Sequence, residues 1–424
     1  MDKQFASEMK KNIISSFYHS YAGGSKSVSR LLHYLSKNGC NVDAFFFEKP
    51  QFFTYTKSDV RLHILDSANI NSEVVDSNLI KNYFITDEII QKIKQTTNPI
   101  LFGANLFPFC NILLDAKIQT KQLHKTEPKL IVHPVGSDVW CVGYQLKSRV
   151  KWLLENELVD SVVTYSENFI TEIKEHFNIQ REIYVLPPVH EKERFFPLSK
   201  LEINERRKAL GLNDDVFILH HHSSMRKIKC PEIVLEIAKN AAQIISEKCV
   251  LIMTGPIPHN EIISMNLSLD STTANDRFIY KTELKNLTIF WTGVVSDVEF
   301  LLQISDAEIN ASLHDSFNLS LMEAMACAVP VVTTDTVGIR KHIVKANGGV
   351  CFLVKHLKFD ELNRVVNSEN SKRHLFDIDY AVSAIAEIAK DRIASKLWGL
   401  AAANYVAEEF SLEKVSKDFY KYVN

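Results

Sequence analysis

Asp315 and Glu323 stand eight positions apart. Between them a polar loop, Ser316-Phe317-Asn318, runs into the apolar stretch Leu319–Ala326. The spacing predicts that the two carboxylates bracket the start of a helix. Amides in the first turn of a helix lack internal partners, and the helix dipole adds partial positive charge there. The backbone from Ser316 to Leu319 therefore offers an anion site suited to a diphosphate. Glu323, about one turn further on, can accept hydrogen bonds from hydroxyls beyond that phosphate. The same residues also suit an ordinary amphipathic helix capped by Asp315.

Other residues add to this chemistry. His220-His221-His222 runs into Arg226 and Lys229. The two cations could neutralise a diphosphate, each through charge-assisted contacts of roughly 1.5–3 kcal/mol; a solvated basic turn is the plainer alternative. Adjacent strand residues point to opposite faces, so the three histidines cannot share one metal ion, and they read as strand-edge residues. Gly23 and Gly24 lie between a strand and a helix, where paired glycines let backbone approach a ligand or simply turn. His133 and the turn Gly136-Ser137-Asp138 close another strand. His133 reads equally as a site residue or a satisfied core histidine.

These segments need a scaffold. Short β-branched runs alternate with helical patterns: Asn12–Tyr18, Val42–Phe47, Arg61–Leu65, Ile100–Phe102, Leu130–His133, Ser161–Thr164 and Ile183–Leu186. The rhythm restarts at Phe217–His222, Cys249–Met253, Thr288–Trp291, Glu308–Asn310, Val329–Thr333 and Val350–Leu353. Alternation of this kind predicts parallel sheets covered by helices, an α/β chain. A length of 424 residues exceeds one hydrophobic core. The prolines Pro187, Pro188 and Pro197 mark a boundary, giving domains 1–197 and 198–395 and returning helices over 396–424. Two open sheets facing across a cleft would place ligands beyond their strands' carboxyl ends.

Composition excludes several classes. Net charge is −2, which argues against nucleic-acid binding. No run of 18 apolar residues suggests a membrane span, and Met1–Glu8 lacks a signal-peptide core. The seven cysteines are scattered without a Cys-x-x-Cys pair, so neither disulfides nor zinc is expected. The expected location is the cytoplasm, with the inner membrane face open to the basic–apolar segment Lys147–Leu154.

The segment from His314 to Asp335 resembles the donor motif of retaining glycosyltransferases of family four, in which two glutamates are separated by seven residues. Arg226 and Lys229 resemble that family's Arg-x-x-Lys. Phe290–Val294 resembles the stretch whose backbone meets the nucleobase, and Leu251–Pro256 its glycine-turn strand. Gly136–Asp138 resembles the family's Gly-Ser-Asp turn, although Val135 occupies the place of the usual histidine. The resemblance implies a GT-B fold of two facing Rossmann-like domains and transfer from a nucleotide sugar to a glycan or lipid-linked hydroxyl. It implies catalytic roles for Asp315, Arg226, Lys229 and His133. Donor contacts would come from Glu323, Ser316, Phe317, Asn318, Leu319, Gly23, Gly24, Gly255, Gly293 and Val294. Gly136, Ser137 and Asp138 would face acceptor or sugar. No metal or other cofactor is expected, and UDP is preferred over GDP. Asp315 stands where the family has Glu, one bond shorter. A non-catalytic nucleotide-sugar-binding partner, or an epimerase or hydrolase of the same fold, remains the alternative.

Overall fold

The structure is a computed structural model. It describes residues 11–17, 23–46, 60–64, 77–123, 127–141, 144–213, 215–257, 270–271, 277–368 and 370–423. Met1–Glu8, Tyr18, Phe47 and Leu65, used in the sequence reading, lie outside them. The chain divides into two units, one comprising Met1–Val189 with Leu412–Asn424, the other His190–Ser411. The division falls at Val189/His190 against the predicted 197/198. Of the stretch 396–424, only Leu412–Asn424 goes with the first unit.

The first unit holds a seven-stranded sheet ordered β3-β2-β1-β4-β5-β6-β7 among the described residues. Its strands are β1 (Asn12–Phe17), β2 (Asn41–Phe46), β3 (Arg61–Ile64), β4 (Pro99–Ala104), β5 (Lys129–His133), β6 (Ser161–Thr164) and β7 (Tyr184–Val185). All pairings are parallel. β4, flanked by β1 and β5, is buried along its whole length, as a strand covered on both faces must be. The helix Leu412–Val423 closes one face. Its Val415, Phe419, Tyr420 and Val423 join Ile13, Leu32 and Phe102 in one core cluster. Polar ties fix its register: Cys40 Sγ meets Tyr420 Oη at 3.0 Å, and Ser161 Oγ donates to the Tyr422 carbonyl at 2.7 Å. In the basic–apolar helix Tyr144–Glu155, Val150, Leu153 and Leu154 turn into the core, while Trp152 is half exposed.

Among the described residues the second unit holds an eight-stranded sheet ordered β10-β11-β12-β9-β8-β13-β14-β15. Its strands are β8 (Phe217–His222), β9 (Cys249–Thr254), β10 (Asp270–Ser271), β11 (Tyr280–Glu283), β12 (Leu287–Gly293), β13 (Ala307–Ile309), β14 (Val331–Thr334) and β15 (Gly349–Phe352). The pairings of β10 with β11 and of β11 with β12 are antiparallel, an edge the sequence reading did not foresee; the other pairings are parallel. The helix Pro231–Ile244 begins on a proline, whose missing N–H is no loss in a first turn. It buries Ile233, Val234, Ile237, Ala238 and Ala241. Within the predicted stretch 396–424 the helix Arg392–Glu409 ends before a second begins at Leu412. His190 N–H donates to the Phe410 carbonyl at 2.9 Å, so both passages of chain between the units leave the second unit at one place.

Candidate functional site

In an open α/β sheet, ligands gather at the carboxyl edge where the winding reverses. In the second unit that point lies between β8 and β13, because β8 is followed outward by β9 on one side and β13 begins the other. The loops leaving these two strands carry the predicted donor residues. After β8 come Ser223, Ser224, Met225, Arg226 and a short turn, Lys227–Lys229. After β13 come Asn310 to Asn318, then the helix Leu319–Ala326. Leu313 N–H donates to the Ile228 carbonyl at 2.9 Å, clamping one loop to the other.

Lys229 Nζ forms an ion pair with Asp315 Oδ2 across this junction, both side chains largely buried. Burial opposes ionisation of Asp315, but the Lys229 ammonium and its hydrogen bond, with His314 and the Phe317 N–H, hold the carboxyl below its ordinary value. Asp315 does not cap the helix. Its Oδ1 accepts from Phe317 N–H at 3.3 Å, inside the loop. Asn318 occupies the cap position with φ +81°, a left-handed conformation that asparagine tolerates better than most residues. Gly338 N–H donates to the Asp315 carbonyl and Ile339 N–H to that of Phe317, each at 2.8 Å, so the loop's backbone is held from behind. Phe317 packs edge-on against Phe410. Arg226 is exposed; its Nε donates to Ser224 Oγ at 3.1 Å, and no carboxylate pairs with it among the described residues. Ser316 is buried, and Leu319 is half-buried at the first helical position.

Glu323 is buried in that helix, with Oε2 3.6 Å from His222 Nδ1. Gly255 and Gly293 close β9 and β12 with φ +141° and +65°, and Gly255 N–H donates to the Gly293 carbonyl at 2.9 Å. Gly255 presses on the loop after β8: a Cβ built there would stand 2.0 Å from the Ser223 carbonyl oxygen. Val294 follows, half exposed. The second unit thus brings together Arg226, Lys229, Asp315, Ser316–Leu319 and Glu323 at one edge, with Gly255, Gly293 and Val294 along it.

Gly23, Gly24, His133 and Gly136–Asp138 belong to the first unit. Gly23 and Gly24 open the helix Gly23–Lys37. His133 is an interior residue. Its Nδ1 bonds to the Val163 carbonyl at 2.9 Å and its ring lies against Tyr165 and Phe102. Burial pushes its pKa down to about 4, only partly opposed by that hydrogen bond. Gly136 takes φ +147°, and the Asp138 carboxylate gathers the N–H groups of Gly136 (2.7 Å), Leu106 (3.0 Å) and Val135 (3.1 Å). Burial raises the Asp138 pKa to about 6 against these hydrogen bonds. Asp138 is thus committed to holding two loops together, and Ser137 beside it is exposed.

The histidine run closes β8, at the end of the strand as expected. β8 is central, and His220 and His221 are fully buried with interior partners. His221 Nδ1 bonds to the Ile309 carbonyl at 2.8 Å. His220 bonds to Glu308 and Thr254, residues the sequence reading left out because only the strand register makes them neighbours. No cluster of metal-ligating side chains occurs among the described residues.

Two doubly wound sheets with this edge define the GT-B fold. Residues 202–375, within the second unit, match the family model of Glycosyl transferases group 1. The chain is 25% identical over 231 residues to N-acetyl-alpha-D-glucosaminyl L-malate synthase of Bacillus anthracis, covering 54% of this chain and 55% of the relative. It spans about half the length of the curated relatives it matches. Sucrose-phosphate synthase of Thermosynechococcus elongatus superposes with a TM-score of 0.67 at 16% identity, over 97% of this chain and 98% of that one. Anabaena HepE, solved with UDP and glucose, gives 0.66 at 14% identity with the same coverage. At such identities these two structures speak for the fold.

Proposed function

We propose that the chain is a retaining glycosyltransferase moving a sugar from a nucleoside-diphosphate donor, a UDP-sugar by preference, to a hydroxyl of a glycan or lipid-linked acceptor. The product would belong to cell-surface polysaccharide or glycoconjugate synthesis. The observation that carries the reading is the Lys229–Asp315 pair astride the β8/β13 junction, beside the exposed Arg226 and the start of the helix Leu319–Ala326. A diphosphate there meets two cations and the amides of Ser316–Leu319. Glu323 receives the ribose and Asp315 the sugar hydroxyls. Gly136 and Ser137 of the first unit are assigned to the acceptor side, with Asp138 holding their turn in place.

In the step itself the bond from the anomeric carbon to the diphosphate oxygen breaks, and a bond to the acceptor oxygen forms on the same face. The acceptor proton passes to the leaving phosphate oxygen. Arg226 and Lys229 stabilise the negative charge as it grows, an electrostatic contribution that costs no reorganisation at the moment of reaction. Neither a metal nor another cofactor enters this scheme.

Saturation-transfer NMR with UDP-, GDP-, ADP- and dTDP-sugars, together with slow donor hydrolysis, tests the reading. Binding of one donor through base and sugar, with hydrolysis lost in Arg226→Ala, is expected. Binding with no turnover in the presence of acceptors would favour a non-catalytic partner. Full activity of Arg226→Ala would overturn the assignment.

A further inference from the structure

Behind the proposed donor site the sheet contains a continuous buried polar chain. His220 and Glu308 face each other in register on β8 and β13, and neither side chain reaches solvent. His220 Nδ1 lies 2.7 Å from Glu308 Oε2, and its Nε2 lies 2.9 Å from Thr254 Oγ1 on β9. Thr254 in turn meets Thr292 Oγ1 on β12 at 3.2 Å. Four adjacent strands are thereby linked just beneath their carboxyl edge. The chain ends at Gly293, whose carbonyl accepts from Thr292 Oγ1 at 2.9 Å.

At its other end the chain reaches the backbone. Glu308 Oε1 accepts the N–H of His222 at 2.9 Å. His222 is the last residue of β8; its imidazole stands 3.6 Å from Glu323, and the loop bearing Arg226 and Lys229 follows it. Burial pushes the Glu308 carboxyl up; His220 and the His222 N–H oppose this, while nearby Glu323 adds to it. An ion-forming pair inside a sheet is a poor way to stabilise a fold, since well-packed apolar residues of similar volume do as well or better. Its cost points to a task at the edge it touches.

We infer that His220 and Glu308 are positioning residues: the imidazole aims the Glu308 carboxylate at the His222 N–H, and so sets His222 and Glu323 for the donor's ribose. This rests on the donor site proposed above. The pair touches no substrate itself. Its loss is therefore read in donor affinity rather than in the chemical step.

The test is donor KM and kcat in H220L/E308L, T254V and E308Q, measured after the wild type has been shown to bind and turn over one nucleotide sugar. Failure at that first stage sinks the site assignment, independently of the pair. H220L/E308L replaces the pair by apolar side chains and is expected to unfold within a few degrees of the wild type. Its His222 N–H lacks an acceptor, and the donor KM should rise about tenfold with kcat within about threefold. E308Q retains a carbonyl oxygen for that N–H and should keep the wild-type KM. T254V removes only the far partner of His220 and should raise KM about threefold; it serves as well if the double variant does not fold. An unchanged KM in a folded H220L/E308L or in T254V, or a fall in kcat alone, would overturn the inference.

Discussion

Gly255→Ala tests the geometry of the β8 loop. At φ +141° an alanine is strained by about 1–3 kcal/mol before any contact is considered. Its Cβ would also stand 2.0 Å from the Ser223 carbonyl oxygen, about 1.4 Å short of an ordinary 3.4 Å contact. The oxygen belongs to backbone, so the loop from Ser223 to Arg226 must move by most of that distance. A misplacement of about 1 Å in a group that meets the reacting atoms costs on the order of 100-fold. Transfer, followed by nucleotide release from the donor, should fall by that factor. At roughly 2 kcal/mol of strain and about 2–4 °C per kcal/mol for a unit of this size, the Tm should fall by about 4–8 °C. Gly211→Ala is the control: it sits at φ +71° with nothing within 4 Å. It shares the strain, about 1–2 kcal/mol, but not the collision, and its transfer rate should stay within about twofold of wild type. Wild-type transfer in Gly255→Ala, or equal losses in both variants, would refute the reasoning.

Lys229→Met should lower transfer on the order of 100-fold and lower Tm, because it leaves the Asp315 carboxylate largely buried without its cation. Adding Asp315→Asn should restore the Tm but not the activity; recovery of both would show the pair to be merely structural. His133 should cost stability in weak acid, against Asp138, whose raised pKa works the other way. Folded His133, with its pKa near 4, resists the proton that the unfolded chain takes up below 6.5. The contribution is full above pH 6.5 and shrinks by about 3 kcal/mol as pH falls to 4. His221, also lowered to about 4, adds a loss of the same sign in the second unit. Chemical denaturation between pH 7.5 and 4.5 should show stability lost more steeply toward acid in the wild type than in His133→Phe; the same pH dependence in both would contradict it.

The sequence was most legible where a local pattern and a physical need coincide. Cys249–Met253 and Val329–Thr333 are apolar runs bounded by turns, and each covers most of a parallel strand. Asp315, Glu323, Arg226 and Lys229 were visible because their spacing resembles a known donor motif and its Arg-x-x-Lys. Their convergence came from the β8/β13 crossover, which the sequence only implied. The helix Asn111–Leu123 escaped because its apolar residues cluster in one turn, Ile112 to Leu114, and its Lys117 is buried against Asp160. β11 escaped because Tyr280–Glu283 is largely polar and gains its identity by pairing with β12. His133 and His220 look reactive in a string of letters. Burial and a fixed partner, both products of register, place them in the interior.

The helix Leu412–Val423 has a consequence for biosynthesis. It is a wall of the first unit supplied from beyond the second. A nascent chain that has delivered residues 11–189 carries the first sheet with Ile13, Leu32 and Phe102 facing a surface whose cover, Val415, Phe419 and Tyr420, has not been translated. Domains made at about 5–20 residues per second usually fold in order of appearance. Here the later unit is complete first, and the earlier one waits through all of His190–Ser411 with part of its core open. That interval is when the chain most needs a chaperone, and a ribosome halted before residue 412 would release a first unit unable to close.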